Sequence, residues 1–72
     1  MIQYKNFGGN SNVRAFSIGK DYIDVQFRNG LIYRYSYRSA GSMKVEHMKK
    51  MAVQGWGLNS YIMRNARKNY ER

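Results

Sequence analysis

Hydrophobic and polar positions alternate most strictly over Tyr22–Arg28, where Ile23, Val25 and Phe27 are interleaved with Asp24, Gln26 and Arg28. A period of two predicts a strand with one buried face. Leu31–Tyr37 repeats the pattern beyond Asn29-Gly30, which predicts a hairpin. A two-residue loop at Asn29-Gly30 would set Val25 opposite Arg34 and Ile23 opposite Ser36, mixing apolar and polar side chains on each face. A three-residue loop, Arg28-Asn29-Gly30 with Gly30 left-handed, pairs Phe27 with Leu31, Val25 with Tyr33 and Ile23 with Tyr35. Only this register collects the apolar side chains on one side, because a one-residue slip reverses every face. A shorter strand near Val13–Ser17, closed by a turn at Gly19-Lys20-Asp21, adds a third strand.

After Tyr37 the period lengthens. Ser42 is the expected N-cap of a helix with Glu46 in its first turn, an apolar stripe of Val45, Met48, Met51 and Ala52, and Gly55 as its stop. Trp56 sits between two glycines in a short connection. A second helix is expected from Leu58–Ser60, with Asn59 as candidate cap. Its inner face holds Leu58, Ile62, Ala66 and Tyr70, and its outer face Arg64, Arg67, Lys68 and Arg72. The predicted class is α+β: a three-stranded antiparallel meander followed by two C-terminal α-helices on one face of the sheet. Residues 1–12, with the turn-forming run Gly8-Gly9-Asn10-Ser11-Asn12, are read as a flexible arm, leaving 13–72 as a single β-β-β-α-α domain.

Charge narrows the function classes. Thirteen Lys and Arg against four Asp and Glu give a formal charge of +9 on 72 residues. Such a field attracts phosphate backbones, anionic lipid and acidic protein surfaces alike. The absence of cysteine removes disulfides and thiol chemistry, and a small chain without such staples points to the cytoplasm. No apolar run approaches the length of a membrane span, and the apolar faces are committed to the core, so no membrane role is expected. His47 stands alone, Asp21 and Asp24 sit in a turn and on a polar strand face, and no metal-ligand spacing occurs. The expectation is a monomeric binding protein rather than an enzyme, with no cofactor.

The strand Ile23-x-Val25-x-Phe27, Gly30, the central Tyr33-Arg34-Tyr35 and the segment Ala52-x-x-Gly55-x-Gly57-Leu58-Asn59-x-Tyr61-Ile62 together resemble the KTSC domain, named for the C-terminus of some lysyl-tRNA synthetases. The chain departs from that family at Ser36-Tyr37-Arg38, where a Gly/Val/Pro-type turn is usual. The resemblance implies an RNA-binding role. As a whole chain it also resembles phage-encoded regulators that bind bacterial RNA polymerase, which implies inhibition of initiation or antitermination in a host cytoplasm.

Candidate contacts follow from both readings. Tyr4, Lys5 and Phe7 in the arm and Arg64, Arg67, Lys68 and Arg72 on the last helix are the expected anchors on an acidic polymerase surface. Arg28, Arg34 and Arg38, with Arg14 near them, are the expected phosphate contacts on the open sheet face. Tyr33 and Tyr35 share the face of Val25 and Phe27 and are assigned to the core. Were they exposed, they would offer stacking platforms for bases.

Overall fold

The computed structural model describes residues 1–9 and 11–71. Arg72, one of the expected anchors, lies outside the described residues. The chain forms β1 (Ile2–Gln3), β2 (Val13–Ile18), β3 (Tyr22–Phe27) and β4 (Ile32–Ser36). The helices α1 (Tyr37–Ala40), α2 (Ser42–Gln54) and α3 (Leu58–Tyr61) follow, and α3 runs directly into a π-helical segment, Ile62–Ala66. The strands form one antiparallel sheet in the order β1-β2-β3-β4. The α+β class stands, with four strands in place of three and, among the described residues, three α-helices and a π segment in place of two helices.

The hairpin register follows from face chemistry as expected. Ile23 pairs with Tyr35 and Val25 with Tyr33. Phe27 N–H donates to Leu31 O at 3.0 Å, and Gly30, at φ +89°, donates to Phe27 O at 2.9 Å. The three-residue loop therefore needs its glycine for a left-handed backbone. Between β2 and β3 the register shifts at Val13/Ala15, leaving Arg14 as the extra, exposed residue of a bulge.

One face of the sheet carries the core. Phe16, Ile23, Val25, Phe27 and Tyr35 meet Val45, Met48 and Ala52 of α2, and Leu58, Ile62 and Ala66 of the last helix. Those last three residues recur every four positions, and all three are buried. In a regular α-helix residues four apart drift by about 40° around the axis. The wider π turn at Ile62–Ala66 reduces that drift and keeps all three on the core. Tyr70 continues the face, stacked on Tyr33 with ring centroids 4.5 Å apart.

The caps differ from expectation. Ser42 is the first residue of α2 rather than its cap, which is Gly41, so Glu46 lies beyond the first turn. The serine that does cap is Ser36, whose hydroxyl accepts from Ser39 N–H at 3.1 Å at the start of α1. The cap of α3 is Gly57, with Asn59 inside the helix.

The N-terminal segment corrects the expected arm. Ile2 pairs with Phe16 and Gln3 with Ala15, making β1 the edge strand. Tyr4 is 3% exposed, and its hydroxyl accepts from Leu58 N–H at 3.3 Å. Phe7 N–H donates to Gly55 O at 2.8 Å, which ties this segment to the α2–α3 turn. A buried aromatic side chain and a two-residue pairing outweigh the turn-forming composition that follows them. Gly55 closes α2 at φ +81°, and a Cβ there would lie 2.7 Å from Lys5 Cβ. Gly55→Ala combines left-handed strain with that clash, for a loss of about 2 kcal/mol or more. Thermal unfolding is expected about 10 °C lower; an unchanged midpoint would refute this close approach.

Tyr35 is 1% exposed, and burial, reinforced by Tyr33 and Tyr70, pushes its phenol up to about 12. A phenol with a folded pKa above its unfolded value contributes stability that is complete below about pH 10 and lost towards pH 12. Tyr35→Phe is therefore expected to flatten the decline of stability between pH 10 and 12 while leaving neutral-pH stability nearly unchanged. Denaturant titrations at both pH values check it, and an unaltered alkaline decline would contradict it.

Candidate nucleic-acid interface

The hairpin loop places Arg28 at the meeting point of two concavities. The first is open, has a volume of about 480 Å³, and is lined by Gln3, Tyr4, Lys5, Asn6, Val13, Arg14 and Arg28. The second lies between the hairpin and the last helix, where Arg28 and Arg67 stand with Asn12, Asn29, Tyr33 and Met63. Each cation has a local reason for its position. Lys5 follows β1, Arg14 is thrown outward by the β2 bulge, Arg28 begins the hairpin loop, and Arg67 follows the π segment. All four side chains are exposed. None is joined to an acidic side chain in the two ion pairs found among the described residues, Arg34–Asp24 and Lys49–Glu46. The result is a positive tract from the N-terminal edge of the sheet to the C-terminal helix.

This tract regroups the expected contacts. Lys5, expected as a polymerase anchor, joins Arg14 and Arg28, expected on phosphate. The last helix ends at Ala66, short of the expected run to Tyr70, so Arg67 joins them from the turn that follows; Arg64 on the π segment and Lys68 in that turn are exposed but line neither concavity. Tyr4 is withdrawn as an exposed anchor because it belongs to the core. Phe7 remains 71% exposed and packs one ring edge against Gly55.

Arg34 is withdrawn from the free positive surface. Its Nε and Nη2 donate to the two carboxylate oxygens of Asp24 at 2.7 and 3.0 Å, and its guanidinium lies 3.8 Å from the Tyr22 ring centroid. Asp24 faces Arg34 directly in the strand register, so a two-pronged pair forms without distortion. The hydrogen bond to Asp24 raises the Arg34 pKa, which stabilises the paired guanidinium. Arg38 is exposed but lines a separate concavity with Ser39, Tyr70 and Glu71. The Ser36 hydroxyl donates to the Glu71 carboxylate there, and Glu71 N–H donates to Arg34 O at 2.7 Å.

Elsewhere Lys49 pairs with Glu46 at 2.8 Å and donates to Lys20 O at 3.0 Å. Lys49, and then the Tyr37 hydroxyl at 2.6 Å, lower the pKa of Glu46, which in turn raises that of Tyr37. His47 stacks on Tyr61 with centroids 4.6 Å apart. Among the described residues there is no cluster of three His, Cys, Asp or Glu side chains able to hold a metal ion. No helix among them is long and apolar enough to cross a membrane.

No match to the chain was found among protein-family models, curated proteins or solved structures. The segments on which the KTSC expectation rests lie on β3, the β3–β4 loop and β4, and from the end of α2 through the α2–α3 connection and α3 to Ile62.

That connection also holds what sequence reasoning missed. Trp56 is 62% exposed at the mouth of a third concavity lined by Tyr4, Asn6, Gly8, Ser11, Gly57, Asn59 and Ser60. The available signal was a large aromatic flanked by two glycines, which leaves its ring without neighbours on its own segment.

Proposed function

We propose that this chain is a non-catalytic RNA-binding module that holds a single strand by its phosphate backbone along Lys5, Arg14, Arg28 and Arg67. The observation that carries the reading is the place of Arg28, which lines both concavities and joins the two halves of the tract. Cations brought from four separate elements to one surface, without carboxylates beside them, suit a polyanion better than a point ligand. The KTSC resemblance leans the same way.

Fluorescence anisotropy with a labelled single-stranded RNA tests this. Binding is expected at low salt, weakening as salt rises with a log–log slope of about −3 for four phosphate contacts. No binding at about 50 mM salt would overturn the reading.

A second reading, a phage-type regulator that binds bacterial RNA polymerase to inhibit initiation or cause antitermination, has its own observation. Ile2 and Val53 are each 61% exposed, share an apolar concavity with Lys5, and have exposed Phe7 nearby. Apolar surface beside a cation suits a protein partner. Retention of polymerase subunits from nuclease-treated bacterial lysate, together with failure to bind RNA, would favour it.

A further inference from the structure

The concavity at Trp56 adjoins the basic one, since Tyr4 and Asn6 line both. Asn6 is the one described non-glycine residue with positive φ, at 56°, and its Oδ1 accepts from Ser11 N–H at 3.2 Å. That turn carries Gly8 against the indole, where even a Cβ would come within 3.5 Å of Trp56 Cε3. The turn closed by Asn6 and Ser11 thus borders the indole, which is 62% exposed. Beside it lies Asn59, whose Oδ1 is shielded from solvent and is the only such buried side-chain atom without a hydrogen-bond partner among the described residues. A buried orphan acceptor costs roughly 1–3 kcal/mol, so it is expected where a ligand supplies the missing donor.

We propose that this recess receives one unstacked nucleobase of a bound RNA strand. The base stacks on the exposed part of Trp56, and rotation of the Asn59 amide out of its shielded position lets Oδ1 accept a base N–H, while adjoining phosphates rest on Lys5 and Arg14. The proposal builds on the RNA-binding reading and adds a base subsite to a surface otherwise described by charge alone. An aromatic platform next to a cationic track is the usual arrangement for holding a single strand, and a stacked base contributes about 1–3 kcal/mol. The recess is lined by amide, hydroxyl and backbone groups rather than by charges, which suits a base edge and not a second phosphate.

The chain has one tryptophan among seven tyrosines, so fluorescence under tryptophan-selective excitation reports on this recess. Titration with oligocytidylate is expected to quench it in step with binding followed by anisotropy. Trp56→Leu is expected to weaken binding about 5- to 100-fold with an unchanged salt slope, because no phosphate contact is lost. Asn59→Ala is expected to weaken binding about 5-fold or more while leaving thermal stability equal or higher, since it removes an orphaned acceptor. A merely structural Asn59 would instead lose stability and keep its affinity. An oligomer carrying abasic sites should bind both the native chain and Trp56→Leu with the same, weakened affinity. RNA binding without fluorescence change, and with full affinity in Trp56→Leu, would overturn the base subsite and leave the phosphate tract standing. Absence of any RNA binding by the native chain would overturn the reading on which it rests.

Discussion

Removing Met1–Gly9 is expected to abolish cooperative unfolding at 25 °C rather than to trim an accessory arm. The segment supplies β1, the Tyr4 N–H bond to Arg14 O at 2.9 Å, and the Phe7 N–H bond to Gly55 O at 2.8 Å. It also supplies Tyr4, an aromatic side chain 3% exposed within the core cluster. Loss of a buried aromatic side chain costs about 3–5 kcal/mol, and the vacated site would also leave Leu58 N–H without its acceptor. A domain of this size has about 5 kcal/mol of stability to lose, which the truncation exceeds. Tyr4→Phe keeps the ring and removes only the acceptor, so it should cost about 1 kcal/mol and still melt cooperatively. Thermal melts followed by circular dichroism separate the cases. A truncated chain melting at the native temperature would show residues 1–9 to be dispensable.

Reversing charge at the junction of the tract and at its helical end has the second large effect. Arg28→Glu with Arg67→Glu is expected to lower RNA affinity by on the order of 100-fold at about 0.1 M salt, from two lost phosphate contacts plus repulsion. Lys20→Glu with Lys50→Glu changes net charge equally, but both sites lie outside the tract and are exposed. That control should lose no more than a few-fold, through the weaker general field. Equal losses in the two double variants would mean that overall charge, and not the arrangement around Arg28, governs binding. All four positions are exposed, so folding should survive in both.

Much of the fold is legible because periodicity encodes burial. The three-residue loop follows from requiring Val25 to meet Tyr33, and Gly55 as the stop of α2 follows from its place after the Met48/Ala52 stripe. What escapes the sequence is decided by contacts distant along the chain. Tyr4 reads as part of a glycine- and asparagine-rich arm until Leu58, fifty-four residues on, gives its hydroxyl a partner. Ser36 and Ser42 are equal as caps by composition, and only the left-handed Gly41 between α1 and α2 separates them.

The same division holds for the surface. Exposure of Arg28 and Arg67 is legible from helix phase and loop position, but their convergence on one concavity is not. Arg34 has the same composition signal as Arg28, yet the register sets it opposite Asp24 and neutralises it. Trp56 carries no motif in the chain and Asn59 reads only as a helix cap in the KTSC-like segment, because the recess they form is completed by Asn6, Gly8 and Ser11 from the other end of the sequence.

The phosphate tract is tested most directly by the salt dependence of RNA binding in Arg28→Gln against the native chain. Removing one phosphate contact should reduce the magnitude of the log–log slope by about 0.7, while Lys50→Gln leaves it unchanged. A slope in Arg28→Gln equal to that of the native chain would contradict the assignment of Arg28 as the residue joining the two halves of the tract.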